Sequence, residues 1–159
     1  MKIYIDADAC PNLIKQTLFK VSERRQVELV LVANQYIRTP NSPLISSILV
    51  PNGFDVADDK IVELVEEGDL TITADIPLAD FVVEKGGFAL SPRGKLFTSQ
   101  SIKQALAMRD LMTDLRDQGV VGGGPPPFGP KDQQQFANQL DRFLTKQMKP
   151  KTPPKAKLW

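Results

Sequence analysis

The segment ELVLVAN, Glu28 to Asn34, narrows the fold more than any other stretch of the chain. Its five consecutive apolar residues leave no polar face. A strand there must be covered on both sides, as strands of a parallel sheet are when helices pack above and below. The flanking sequence supplies such helices. Lys2–Ile5 reads as a short strand, Pro11 opens a helix running to about Arg25, and Ile14, Leu18 and Val21 recur along it at helical spacing. After the polar loop QYIRTPNSP, Ile45–Val50 reads as a third strand.

The alternation continues. Asp58 to about Glu67 is predicted as a helix closed by Gly68, Leu70–Ala74 as a strand, Ile76–Lys85 as a helix ended by Gly86-Gly87, and Phe88–Leu90 as a last brief strand before a SPRGK turn. Ser99 to about Gln118 and Asp132–Gln147 are amphipathic helices. Between them GVVGGGPPPFGP is too rich in Gly and Pro for either ladder, and it lacks the Lys-Ser/Thr ending of a phosphate-binding P-loop. The expected organisation is one α/β domain over 1–148 with a mainly parallel sheet, residues 119–130 forming a Gly/Pro-rich loop and 131–148 the final helix. A disordered basic tail follows from 149 to 159. Residues Thr145 to Trp159 carry five lysines and no acid, leaving 15 basic against 19 acidic residues before them.

Composition enters where it excludes chemistry. With no histidine, Ser-His-Asp and Cys-His catalysis and His-containing zinc sites are ruled out; a single cysteine, Cys10, excludes an internal disulfide and cysteine-rich metal sites. Hydrolysis by this chain must use carboxylates, lysine or a hard metal held by oxygen. The lone cysteine and the absence of a signal-like start or a long apolar span predict a cytoplasmic protein with no membrane partner.

Carboxylates are placed for such chemistry. Asp6 ends the first strand and Asp75 follows the TITA strand, so both project from the carboxyl edge of a parallel sheet, where sites form at the reversal of strand order. Asp8 shares Asp6's side if the chain stays extended. Asp58 forms an i, i+3, i+4, i+7 stripe with Ile61, Val62 and Val65, which sets it above the apolar face, whereas Asp59 falls with Glu63 and Glu66 toward solvent. Asp80 is a further candidate on the following helix. Two charges about 4 Å apart repel by roughly 4 kcal/mol at an effective dielectric near 20, so a cluster of aspartates calls for a cation, Mg²⁺ or Mn²⁺. Such an ion polarises a phosphoryl oxygen without histidine. Taken singly, Asp6 and Asp75 can merely end strands and Asp58 can merely cap a helix.

IDADACP, VLVANQ, GFDVADDKIVELVEEGDLTITADIPLA, LSPRG and MRDLMTDLR together resemble the bacterial YaiI/YqxD family of uncharacterised proteins. The resemblance runs from about Lys2 through Leu115 and continues into QQQFANQL. That family is grouped with the PIN-like nucleases, which implies a three-layer α/β/α sandwich and a metal-dependent phosphodiesterase acting on RNA or DNA. Carried over, Asp6, Asp58 and Asp75 resemble the catalytic metal ligands, Asp75 within the threonine-x-aspartate strand end Thr73-Ala74-Asp75. Asp8 and Asp80 are expected as ligands or supports. Arg38, Arg93, Lys95 and Arg109 are expected to contact substrate phosphate, and the resemblance permits a homodimer. Two alternatives remain: a PIN-like module that binds RNA or protein without cleaving, and a haloacid-dehalogenase-type phosphatase with Asp6 as nucleophile and Asp8 as general acid.

Overall fold

The structure, a computed structural model, describes residues 1–53, 55–117 and 127–147. The tail from 149, and the Gly/Pro-rich loop up to 126, lie outside the described residues. Five parallel strands make one sheet: β1 (Lys2–Asp6), β2 (Glu28–Ala33), β3 (Ile45–Leu49), β4 (Leu70–Ile72) and β5 (Phe88–Leu90), in the order β3-β2-β1-β4-β5. The helices are α1 (Asn12–Arg25), α2 (Val56–Leu64), α3 (Ile76–Glu84), α4 (Ser99–Asp117) and α5 (Pro130–Gln147).

Alternation along each strand sorts the core into two faces. Ile3 and Ile5 of β1 join Leu29 and Leu31 of β2 and Leu70 and Ile72 of β4 beneath α1 (Ile14, Leu18) and α5 (Phe136, Leu140, Leu144). On the other face Tyr4, Val30 and Val32 pack under Ile61 and Val65 and under Leu78 and Val82 of α3. The sheet is thus flanked by helices on both sides, an arrangement consistent with a three-layer α/β/α sandwich. A smaller cluster, Ala79, Ala89, Phe97 and Ile102, seats α4 beside α3 and β5. Fully burying a side chain such as Ile5 or Leu31 contributes about 1.5–3 kcal/mol, and β1 and β2 supply five such residues, Ile3, Ile5, Leu29, Leu31 and Val32.

From β1 the chain winds outward to β2 and β3, then returns across to β4 and on to β5. The reversal therefore falls between β1 and β4, which pair through Ile3–Leu70, Tyr4–Thr71 and Ile5–Ile72.

Several boundaries differ from the sequence reading. Helix α2 begins at Val56 and stops at Leu64, where Val65 turns extended; Gly68, at φ 89°, belongs to the later turn into β4 and does not cap the helix. That turn is held by Asp69, a buried carboxylate accepting the N–H groups of Lys2 at 3.0 Å and Glu66 at 2.9 Å. Helix α1 closes on Gln26 in the left-handed conformation, with no glycine to signal it. Among the described residues no helix is long and apolar enough to cross a membrane.

Candidate metal centre

Because Tyr4 faces α2 and α3, Asp6, two residues on, faces them too, and the carboxylates of both helices come to meet it. Asp75 stands just past β4 as the N-cap of α3, its Oδ1 accepting the Leu78 N–H at 3.1 Å, with Pro77 in the first turn. Its own N–H donates to Thr73 Oγ1 at 3.0 Å, and the buried Thr73 hydroxyl also hydrogen-bonds Asp6. One threonine at the end of β4 therefore holds both strand-end aspartates.

Asp58 lies in the first turn of α2, half-buried. A third carboxylate, Asp55, precedes it as the N-cap residue and was not singled out by sequence reasoning. It adopts φ 62°, a left-handed conformation that Asp tolerates better than most residues, and its side chain makes no capping hydrogen bond. One oxygen each from Asp55, Asp58 and Asp75 lie within 4.8 Å of one another. The helical stripe, which begins at Asp58, gave no signal for Asp55.

Among the described residues no ion pair neutralises this group. Asp58 is pushed up to about 7, first by burial, then by the charges of Asp6, Asp75 and Asp55, and by a hydrogen bond to Asp75. Asp6 lies outside the three-carboxylate group but feels the same field: burial, then Asp75 and Asp8, raise it to about 6, against the lowering effect of Thr73. An oxygen-only donor set, with its member Asp58 raised by burial and by its acidic neighbours, matches what a hard divalent cation requires. A cleft of about 280 Å³ opens over the group, lined by Asp55, Asp58, Asp59, Asp75, Phe81 and Arg109 among others.

The remaining sequence-predicted residues lie elsewhere. After Asp6 the chain does not stay extended but coils into a 3-10 turn, Ala7–Ala9. Asp8 consequently swings toward the end of β2, where Oδ2 accepts the Asn34 N–H at 2.7 Å and Oδ1 the Gln35 amide at 3.4 Å. Asp80 is further along α3, outside both the carboxylate group and the cleft lining. Of the four basic residues, only Arg109 lines the cleft. Arg38 is exposed on the β2–β3 loop, Arg93 binds Asp132 Oδ2 at 3.1 Å, and Lys95 extends beside the Phe97 ring.

The family model described as "Uncharacterized BCR, YaiI/YqxD family" matches residues 4–146. The chain belongs to the YaiI/YqxD family. It is similar to a UPF0178 protein of Maridesulfovibrio salexigens, 58% identical over 148 residues that cover 93% of this chain and 98% of the relative. A UPF0178 protein of Shewanella pealeana is 57% identical over 150 residues, 94% of this chain and 99% of its own length. Another, from Herminiimonas arsenicoxydans, is 58% identical over 146 residues, 92% of this chain and 98% of its own length. No solved structure matches the chain.

Proposed function

We infer that this chain is a Mg²⁺- or Mn²⁺-dependent phosphodiesterase of PIN-like type, acting on RNA or DNA in the cytoplasm. The observation carrying this reading is the oxygen-only group of Asp55, Asp58 and Asp75 at the β1/β4 reversal, with Asp6 and Asp58 both raised by burial and then by neighbouring carboxylates. A divalent cation held there would supply Lewis-acid polarisation of a phosphoryl oxygen.

The chain's own residues supply the rest. Asp55, Asp58 and Asp75 would hold the ion, with Asp6 beside them and Thr73 fixing Asp6 and the Asp75 backbone. Asp58 would release its proton as the ion binds, because the cation replaces the proton as the neutralising charge. Arg109, on the cleft lining, is the side chain placed to receive a substrate phosphate oxygen. The phosphatase alternative is less well supported, since both Asp8 oxygens are already engaged by Asn34 and Gln35. A general acid needs that carboxyl available.

Metal-dependent cleavage of single-stranded and structured RNA and DNA, compared with Asp75→Asn, tests the reading. Cleavage that requires Mn²⁺ or Mg²⁺ and is lost in the variant supports it. Metal binding without cleavage of any substrate would replace it with the non-cleaving RNA- or protein-binding module.

A further inference from the structure

Arg93 and Lys95, absent from the acidic cleft, build a different one. With Gly94 they form the turn after β5, and this turn presses against α5: a Cβ on Gly94 would lie 2.7 Å from the Gln135 carbonyl carbon. Gly94, at φ 91°, has neither the Cβ nor the backbone restriction that would prevent this approach. The contact creates a cleft of about 390 Å³ lined by Arg93, Gly94, Lys95, Gln135, Asn138, Gln139 and Arg142.

The α5 residues of this cleft are spaced i, i+3, i+4, i+7, so they make one stripe beside the apolar stripe of Phe136, Leu140, Phe143 and Leu144. Lys131 and Lys146 prolong the stripe by a turn at each end, over about 22 Å of helix at 1.5 Å per residue. Of the two acids of α5, Asp132 continues the Gln135–Gln139 spacing at the N-terminal end, and Asp141 lies off the stripe. Asp132 is held by Arg93 and by the Gly129 N–H, and Asp141 by Arg25 and Arg24. Lys95 and Arg142 have no ion pair among the described residues. The result, among the described residues, is a band of cations and carboxamides, longer than the cleft itself, whose flanking acid Asp132 is already paired with Arg93. Arg and Lys pair with phosphate, while Asn and Gln donate to its oxygens and to sugars.

We propose that this band binds the phosphodiester backbone of a nucleic acid strand, at a site separate from the carboxylate centre. Charges continuing a turn beyond each end of the cleft suit a polyanion better than a mononucleotide. The proposal concerns binding, and it goes beyond the metal-site reading.

The test is fluorescence anisotropy of the full chain with labelled oligouridylate RNA, in chelator so that no cleavage occurs, across a salt series. For the double variant Lys95→Gln/Arg142→Gln the expected result is a roughly tenfold weaker affinity and a salt slope shallower by about 1.4, two single-strand phosphate contacts at about 0.7 each. Thermal melting checks that the variant is folded. If it is not, Lys131→Gln/Lys146→Gln, at exposed positions, is expected to give a loss in the same direction. Unchanged affinity and slope in the folded variant would overturn the proposal. So would AMP binding as tightly as the oligomer, which would mark a mononucleotide pocket. Because the assay is metal-free, a protein that binds RNA here but never cleaves any substrate leaves this proposal standing while removing the phosphodiesterase reading.

Discussion

Replacing Asp58 with asparagine separates what the carboxylate does to the fold from what it does for a metal. Asp58 sits near 7 in the folded protein against an ordinary 3.8. Between those values the folded state holds a proton that the unfolded chain has lost, so stability falls as pH rises through that window. Well below pH 3.8 the carboxyl is neutral in both states, and the substitution has no electrostatic effect. Above about pH 7 the wild type carries the cost of a half-buried charge and then the repulsion from Asp6, Asp75 and Asp55. Asparagine avoids this repulsion and can still donate a hydrogen bond to Asp75.

Since Asp58 is partly exposed, solvent screening reduces the gain to about 1–2 kcal/mol. At about 2–4 °C per kcal/mol for a chain of this size, Asp58→Asn should melt roughly 2–8 °C above wild type at pH 8 in chelator, with most of that difference gone at pH 4. With Mn²⁺ at about 100 times its Kd, the wild type should gain about 2.7 kcal/mol and the order should reverse, because the variant has lost a ligand. Differential scanning calorimetry in the two buffers measures both effects. A variant less stable than wild type at pH 8 in chelator, or one that Mn²⁺ stabilises as much as wild type, would refute the reasoning.

Other residues give further checks. Thr73→Val removes the hydroxyl shared by Asp6 and the Asp75 N–H, and should destabilise the chain by about 1–3 kcal/mol in urea titration while weakening Mn²⁺ affinity. Asp69→Ala strands two N–H groups, those of Lys2 and Glu66, and should lower the urea midpoint by the equivalent of about 1–3 kcal/mol without changing metal affinity. Cys10 is buried, and its thiol is pushed up to about 12 by burial, with Lys15 lowering it and Asp6 raising it. It should remain unreactive to a thiol reagent at pH 8 in the native protein and react on unfolding; rapid native-state labelling would contradict its burial.

Much of this architecture was written in local pattern. The continuous apolar run of β2, the helical spacing of Ile14, Leu18 and Val21, and the strand-ending positions of Asp6 and Asp75 follow from side-chain period alone. That is why a parallel sheet with acids at its carboxyl edge could be read before any coordinates. Position relative to distant segments was not legible in that way. Asp8 matched Asp6 in spacing, but a 3-10 turn directs it to Asn34, a partner 26 residues away. Asp55 joined Asp58 and Asp75 because α2 starts two residues earlier than its apolar stripe suggested, and because Asp55 takes a left-handed conformation and makes no side-chain cap.

The basic residues mark the same division. Arg93, Lys95 and Arg109 are indistinguishable as sequence symbols, yet the approach of Gly94 to α5 assigns two of them to one cleft, and the docking of α4 beside α3 assigns the third to another. Periodicity determines which face a residue occupies, because that depends only on its neighbours. Which charges meet depends on how helices from opposite ends of the chain pack over one sheet, and only the tertiary structure decided that.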